Sequence, residues 1–128
     1  MAITNAFLNA LRNFIYGDTI VPPSHMAVGS GGTSSTDYGG LTALVDEKFR
    51  KAFTNRTKGS NAGVVQLDCT ITSTDVSGNG LNGQSWNEIG AFNAASAGTM
   101  TFGQFFTAFT VALNTEYRLE VTLTAQRP

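Results

Sequence analysis

Trp86-Asn-Glu-Ile-Gly-Ala-Phe-Asn-Ala-Ala-Ser-Ala-Gly-Thr-Met100 reads as a strand, Trp86 to Phe92, a turn of small residues, Asn93 to Thr99, and a second strand from Met100. The second strand runs on through Phe102, Phe105, Phe106 and Phe109 to Leu113. These phenylalanines do not alternate strictly, so both faces of the strand carry aromatic rings. One face can fill a core. The other must meet a second layer or another subunit, because exposed aromatic patches usually mark contacts.

Working outward, the same period of two recurs on both sides. Val65, Leu67, Cys69 and Ile71 alternate with Gln66, Asp68, Thr70 and Thr72. Tyr117, Leu119, Val121 and Leu123 alternate with Arg118, Glu120, Thr122 and Thr124, after a turn at Asn114-Thr115. Both patterns predict half-buried antiparallel strands. His25 to Val28 is a short strand after Val21-Pro22-Pro23, which cannot continue a helix. Gly29 to Asp37 reads as a flexible loop, and Asp75 to Ser85 as a polar, Gly-rich one. Leu41, Leu44, Val45 and Phe49 suggest a brief helical turn, with a strand leaving it between Phe49 and Thr57.

Only the N-terminus has a helical period. Phe7, Leu8, Leu11, Phe14 and Ile15 share one face, opposite Asn5, Asn9, Arg12 and Asn13. Thr4 is placed to cap the start, Ile3 and Leu8 to staple it, and Gly17 to end it. The expected fold is therefore mainly β: one antiparallel β-sandwich or barrel-like domain over 1–128. It has an N-terminal α-helix at 5–16 and a β-rich body from about 25 to 126. The apolar helix face predicts burial, against the rest of the domain or on a neighbouring chain.

Charged residues make up 13% of the 128, about half the usual figure of roughly 25%. Polarity comes from Thr, Ser, Asn and 14 glycines. Such a surface suits contact between subunits, because few charges need pairing when water leaves. The net charge of −1 gives no global attraction to nucleic acid. Positive charge is local: Lys48, Arg50, Lys51, Arg56 and Lys58 form either a solvated segment or a docking surface for an acidic partner. Nothing approaches the roughly 20 apolar residues of a membrane span. No signal-like segment opens the chain, so synthesis in a cytoplasm and a soluble product are expected.

Candidate chemistry is sparse. Cys69 has no partner for a disulfide or metal spacing and sits in an alternating strand, so a buried thiol is expected. Gly29-Ser-Gly-Gly-Thr33 lacks the lysine of a phosphate loop. His25 is the sole histidine and has no nucleophile motif beside it. Asp46 and Glu47 could be imagined opposite Glu88 as an acid pair, yet nothing in the sequence joins them. Asp46 and Glu47 read more simply as the solvated face of the helical turn. Glu88 reads as a ligand of backbone amides or of a local basic residue. Asn55-Arg-Thr57 matches a glycosylation sequon by chance. Trp86 could stack on a sugar or pack in a core or interface. No catalytic residue, cofactor or metal is expected.

Three segments in series carry a resemblance. They are Asn5-Ala-Phe-Leu-Asn-Ala-Leu11, then His25-Met-Ala-Val-Gly-Ser-Gly-Gly-Thr33 with Gly40-Leu-Thr-Ala-Leu-Val-Asp-Glu-Lys-Phe-Arg50, then the opening hairpin. Together they resemble small virion proteins of tailed bacteriophages, described as tail-fibre or tail-collar-like modules. Gly29 and Gly31 match that pattern's tight loop, Leu44, Glu47 and Arg50 its middle segment, and Glu88, Gly90 and Phe92 its hairpin. The resemblance implies a non-enzymatic, self-assembling β module, often trimeric, on a particle made in the host cytoplasm. Fibre modules usually carry a long shaft. A chain that stops at Pro128 also suits a free-standing head decoration (cement) protein. Expected partners are further copies and either tail or baseplate proteins or the major capsid protein, with no nucleic acid or membrane. A carbohydrate-binding module for host glycans is the competing class. The interface residues expected are Phe7, Leu11, Phe14, Trp86, Phe102, Phe105, Phe106 and Phe109.

Overall fold

The computed structural model describes residues 1–125, so the last position of the expected β-rich body, 126, lies outside them. The chain is mainly β, with two antiparallel sheets and no closed barrel. In order it forms β1 (Ala2–Ile3), α1 (Asn5–Tyr16), β2 (His25–Gly29), β3 (Glu47–Ala52), β4 (Asn55–Lys58) and β5 (Val64–Ile71). Then follow α2 (Ser73–Gly78), β6 (Ser85–Phe92), β7 (Met100–Thr110) and β8 (Tyr117–Thr124). One sheet has the order β1-β7-β6-β2-β3, the other β4-β5-β8.

The two sheets enclose the main core. Met26 and Val28 of β2, Trp86 of β6 and Phe102 of β7 meet Leu67, Cys69 and Ile71 of β5 there. Trp86 sits at its centre, with Phe109 and Tyr117 edge-on at 5.9 and 5.7 Å between ring centroids. The hairpin supplies this placement: Trp86 lies opposite Phe109, and Ala91 opposite Phe102.

The aromatic residues of β7 do divide between two faces. Phe106 and Phe109 pack against the inter-sheet core, while Phe105 packs against a second cluster of Ala27, Tyr38, Leu44, Phe92 and Met100. That second layer is built by the chain itself. Residues 30–46 cross the outer face of the five-stranded sheet as a strap, with a single 3-10 turn at Tyr38–Gly40. The helical turn expected around Leu41 to Phe49 is therefore absent: Leu44 seats the strap, and Phe49 belongs to β3.

A row of small residues makes room for the strap. Ala27 faces Gly90, Gly90 faces Gly103, and Gly103 faces Ala2. A Cβ on Gly103 would come within 2.6 Å of the Tyr38 ring, and one on Gly90 within 3.0 Å of Leu44. Real Cβ atoms essentially never come as close as the first and rarely as close as the second, so glycine, above all Gly103, lets the strap reach the sheet.

The loop expected over Asp75 to Ser85 begins instead as α2. Thr72 accepts from the Asp75 amide, and Asp75 accepts from the Thr72 amide, a reciprocal capping box. The Asp75 carboxylate also meets Lys51 Nζ at 2.6 Å. The bond to Lys51 holds Asp75 below the ordinary carboxylate range; burial opposes it, and the Thr72 amide and hydroxyl add to the lowering. Asp75 thus stabilises the fold above the unfolded-state value near pH 4, and the contribution is lost as pH falls through the lower folded value. The Asp75→Asn variant is expected to lose about 1–2 kcal/mol at neutral pH, as a cap and a partly exposed ion pair would. Denaturant melts between pH 3 and 7 check this; a variant with an unchanged acid limb would contradict it.

Candidate functional site

Helix α1 forms as expected and then stays uncovered. Thr4 is fully buried; its Oγ1 accepts from the Phe7 amide at 3.1 Å and donates to the Met100 carbonyl. The Thr4 amide donates to Thr101 O at 3.0 Å. Gly17, at φ +123°, closes the other end with bonds to Asn13 and Phe14 carbonyls. Between these caps no residue of α1 is buried. Leu8 is 51% exposed, Phe14 56%, Ile15 78% and Tyr16 87%. Leu11 is exposed as well, while Phe7 is half-buried and lines a 270 Å³ apolar cleft with Pro22, Pro23, Leu67 and Leu123.

The expected interface residues thus separate. Leu11 and Phe14 lie on an open surface. Trp86 and Phe102 do not: both are fully buried within the single chain, because the sandwich needs their rings between its sheets. Phe105, Phe106 and Phe109 are half-buried against one or other core. Trp86 also has no free ring face for a sugar; its indole N–H donates to Gln84 Oε1 at 3.1 Å.

The basic residues 48–58 do not act as one patch, because β3 and β4 belong to different sheets. Arg50 is spent inside the fold: it pairs with Glu47 at 2.6 Å, lies 3.6 Å over the Phe92 ring, and donates to the carbonyls of Ala94 and Ala97. It thereby staples the β6–β7 turn, where Ala97 has a positive φ of 51°. Lys51 holds Asp75 and the Thr70 carbonyl. Lys48 pairs with Asp46 at 2.9 Å and draws that carboxyl below its ordinary range. Arg56 donates to Pro23 O, and Lys58 is exposed.

Glu88 is the one fully buried carboxylate among the described residues, and its partners come from the strap. Oε1 accepts from the amides of Asp46 at 2.9 Å and Gly31 at 3.4 Å. Oε2 accepts from Tyr38 Oη at 2.8 Å and the Val45 amide at 3.2 Å. Burial first, then the bond to Glu88 and its charge, push the Tyr38 phenol above its ordinary range. Glu88 is a clamp for the strap, the backbone-ligand role its sequence suggested. Asp46 supplies an amide to it, and Glu47 begins a strand rather than flanking an acid pair.

The remaining candidates are structural too. Burial pushes the Cys69 thiol up to about 11, so it stays protonated at neutral pH. His25 Nδ1 meets Ser24 Oγ at 2.7 Å, but no Asp or Glu lines the cleft they share with Phe53 and Arg56. Among the described residues, no three His, Cys, Asp or Glu gather as metal ligands, and no helix is long and apolar enough to cross a membrane.

No known protein family and no curated protein matches this sequence.

Proposed function

We propose that this chain is a non-enzymatic structural subunit on the exterior of a tailed-phage virion, of the tail or fibre-base type. It works by burying surface against other virion proteins and further copies of itself. The observation that carries this reading is α1: a capped, regular helix whose apolar face, Leu8, Leu11, Phe14 and Ile15, no described part of the chain covers. A face of that kind is stable when another surface removes it from water. The low charge content and the three segments that resemble phage tail modules support the same reading.

Phe14→Asp is expected to abolish incorporation into particles while leaving the melting temperature within about 2 °C, since surface changes rarely exceed 0.5 kcal/mol. Phe106 is a poorer probe, because it is half-buried against the core and its substitution would lower stability as well as assembly. Quantitative protein gels of purified particles give the copy number. Few copies fit a tail position, and many copies over the shell fit head decoration. A chain missing from purified particles, or a Phe14→Asp variant incorporated like the parent, would refute the assignment.

A further inference from the structure

We propose that the open edge of β8 pairs antiparallel with β8 of a second copy, about a two-fold axis at Leu119. An unpaired strand edge is a template for another strand, and proteins normally blunt it with lysines, prolines, bulges or brevity. The other three sheet edges are blunted in this way. Strand β1 has two residues, and β4 has four, with Arg56 and Lys58 among them. Strand β3 carries Lys48 and Lys51, and its pairing with β2 is interrupted by a bulge at Val28–Gly29. Strand β8 has eight residues in unbroken register with β5, and none of them is proline or lysine. Among the described residues no other strand pairs with it.

The edge is also chemically prepared. The Ala125 amide points inward, donating to Gly63 O at 2.8 Å. Alternation along an antiparallel strand then turns the N–H and C=O groups of Arg118, Glu120, Thr122 and Thr124 to the open side. Side chains on one face must pair with one another, which leaves three central registers. With Glu120 opposite itself, two carboxylates face each other, which is destabilising. With Val121 opposite itself, Glu120 meets only Thr122. With Leu119 opposite itself, Arg118 of each copy meets Glu120 of the other, forming two ion pairs. Arg118 lies 3.2 Å from Glu120 on the same strand and 3.5 Å from Asp68 on β5, and with 62% and 48% of their side chains exposed Arg118 and Glu120 can both reach a partner. On the inner face, Leu119 then meets Leu119, and Tyr117 meets Val121. All three residue types are half-buried in one chain for want of a neighbour.

This pairing is independent of where the protein sits in a particle. It also differs from the threefold assembly that the phage resemblance implies, so the mass in solution decides between them. Light scattering on the full chain is expected to give twice the 13.5 kDa chain mass at high concentration. Glu120→Arg is expected to weaken association about tenfold, replacing two attractive pairs with two repulsive ones, and Arg118→Glu with Glu120→Arg together to restore it. Circular dichroism confirms that each variant is folded. Independently, Leu119→Cys is expected to form a disulfide-linked dimer, because directly opposed residues in a non-hydrogen-bonded pair lie about 4.5 Å apart. The background is Cys69→Ala, since Cys69 is the register partner of Leu119 within the chain. A monomeric or trimeric mass, a Glu120→Arg variant that associates like the parent, or the absence of the cross-link would each overturn the proposal.

Discussion

Glu88→Ala is expected to lower the unfolding free energy by about 3–5 kcal/mol, because it removes a buried carboxylate shared by four donors, one of those bonds buried and three part-buried. Three amides and the Tyr38 hydroxyl converge on that carboxylate. The strap is then held by Tyr38 and Leu44 lying in the glycine row and by the Asn87 side chain, which accepts from the Gly32 amide and donates to the Gly32 carbonyl. A small domain has a total stability of only about 5–15 kcal/mol, so the variant should unfold at a far lower denaturant concentration. Glu88→Gln should fall between parent and Ala, since its amide nitrogen turns a donor toward donors. Hydrogen exchange supplies a second readout: the Val45 and Asp46 amides, slow in the parent, should exchange rapidly in either variant. A Glu88→Ala loss below about 1 kcal/mol, the value of a single ordinary bond, would mean that the clamp carries little.

Trp86→Ala is expected to cost about 3–5 kcal/mol, the usual penalty for emptying a large aromatic site. The indole touches both sheets through Phe109 and Tyr117, so its removal leaves a cavity that neither sheet can close alone. Urea denaturation would measure the loss. Tyr117→Phe should be nearly silent at the ring stack, yet it removes the hydroxyl that accepts from the Ala112 amide at 2.9 Å. A glycan-binding role for Trp86 predicts the opposite pattern, with binding lost and stability kept. A stable Trp86→Ala chain would therefore displace the core assignment.

The parts of the fold that could be read from sequence are those whose cause is local. Period-two alternation places β5 and β8, and Thr4 with Gly17 brackets α1 to the residue. The hairpin turn falls where the small residues are. Strand β1 escaped because two residues carry no period. Helix α2 escaped although Thr72-Ser-Thr-Asp75 spells a capping box, because the glycines and asparagines after it outweighed that signal. The strap was misread because Leu41, Leu44, Val45 and Phe49 mimic a helical turn, while what fixes them is a carboxylate more than forty residues away. The division of the basic residues was invisible for a similar reason: adjacency in sequence conceals a change of sheet between Ala52 and Asn55. Periodicity revealed that α1 has an apolar face but not who covers it, because intramolecular and intermolecular burial leave the same pattern.

The anchorage of α1 also orders events during synthesis. A ribosome delivers α1 before β7, at about 5–20 residues per second. The carbonyl that receives the Thr4 hydroxyl belongs to a residue 96 positions later. Strand β1 likewise finds its partner only when Phe102 and Gly103 have emerged. Until that sheet is made, the α1 segment has neither its anchor at Met100 nor a surface to lean on, and a lone helix of its length is marginal in water. A segment made well before its anchors is among the last to be fastened.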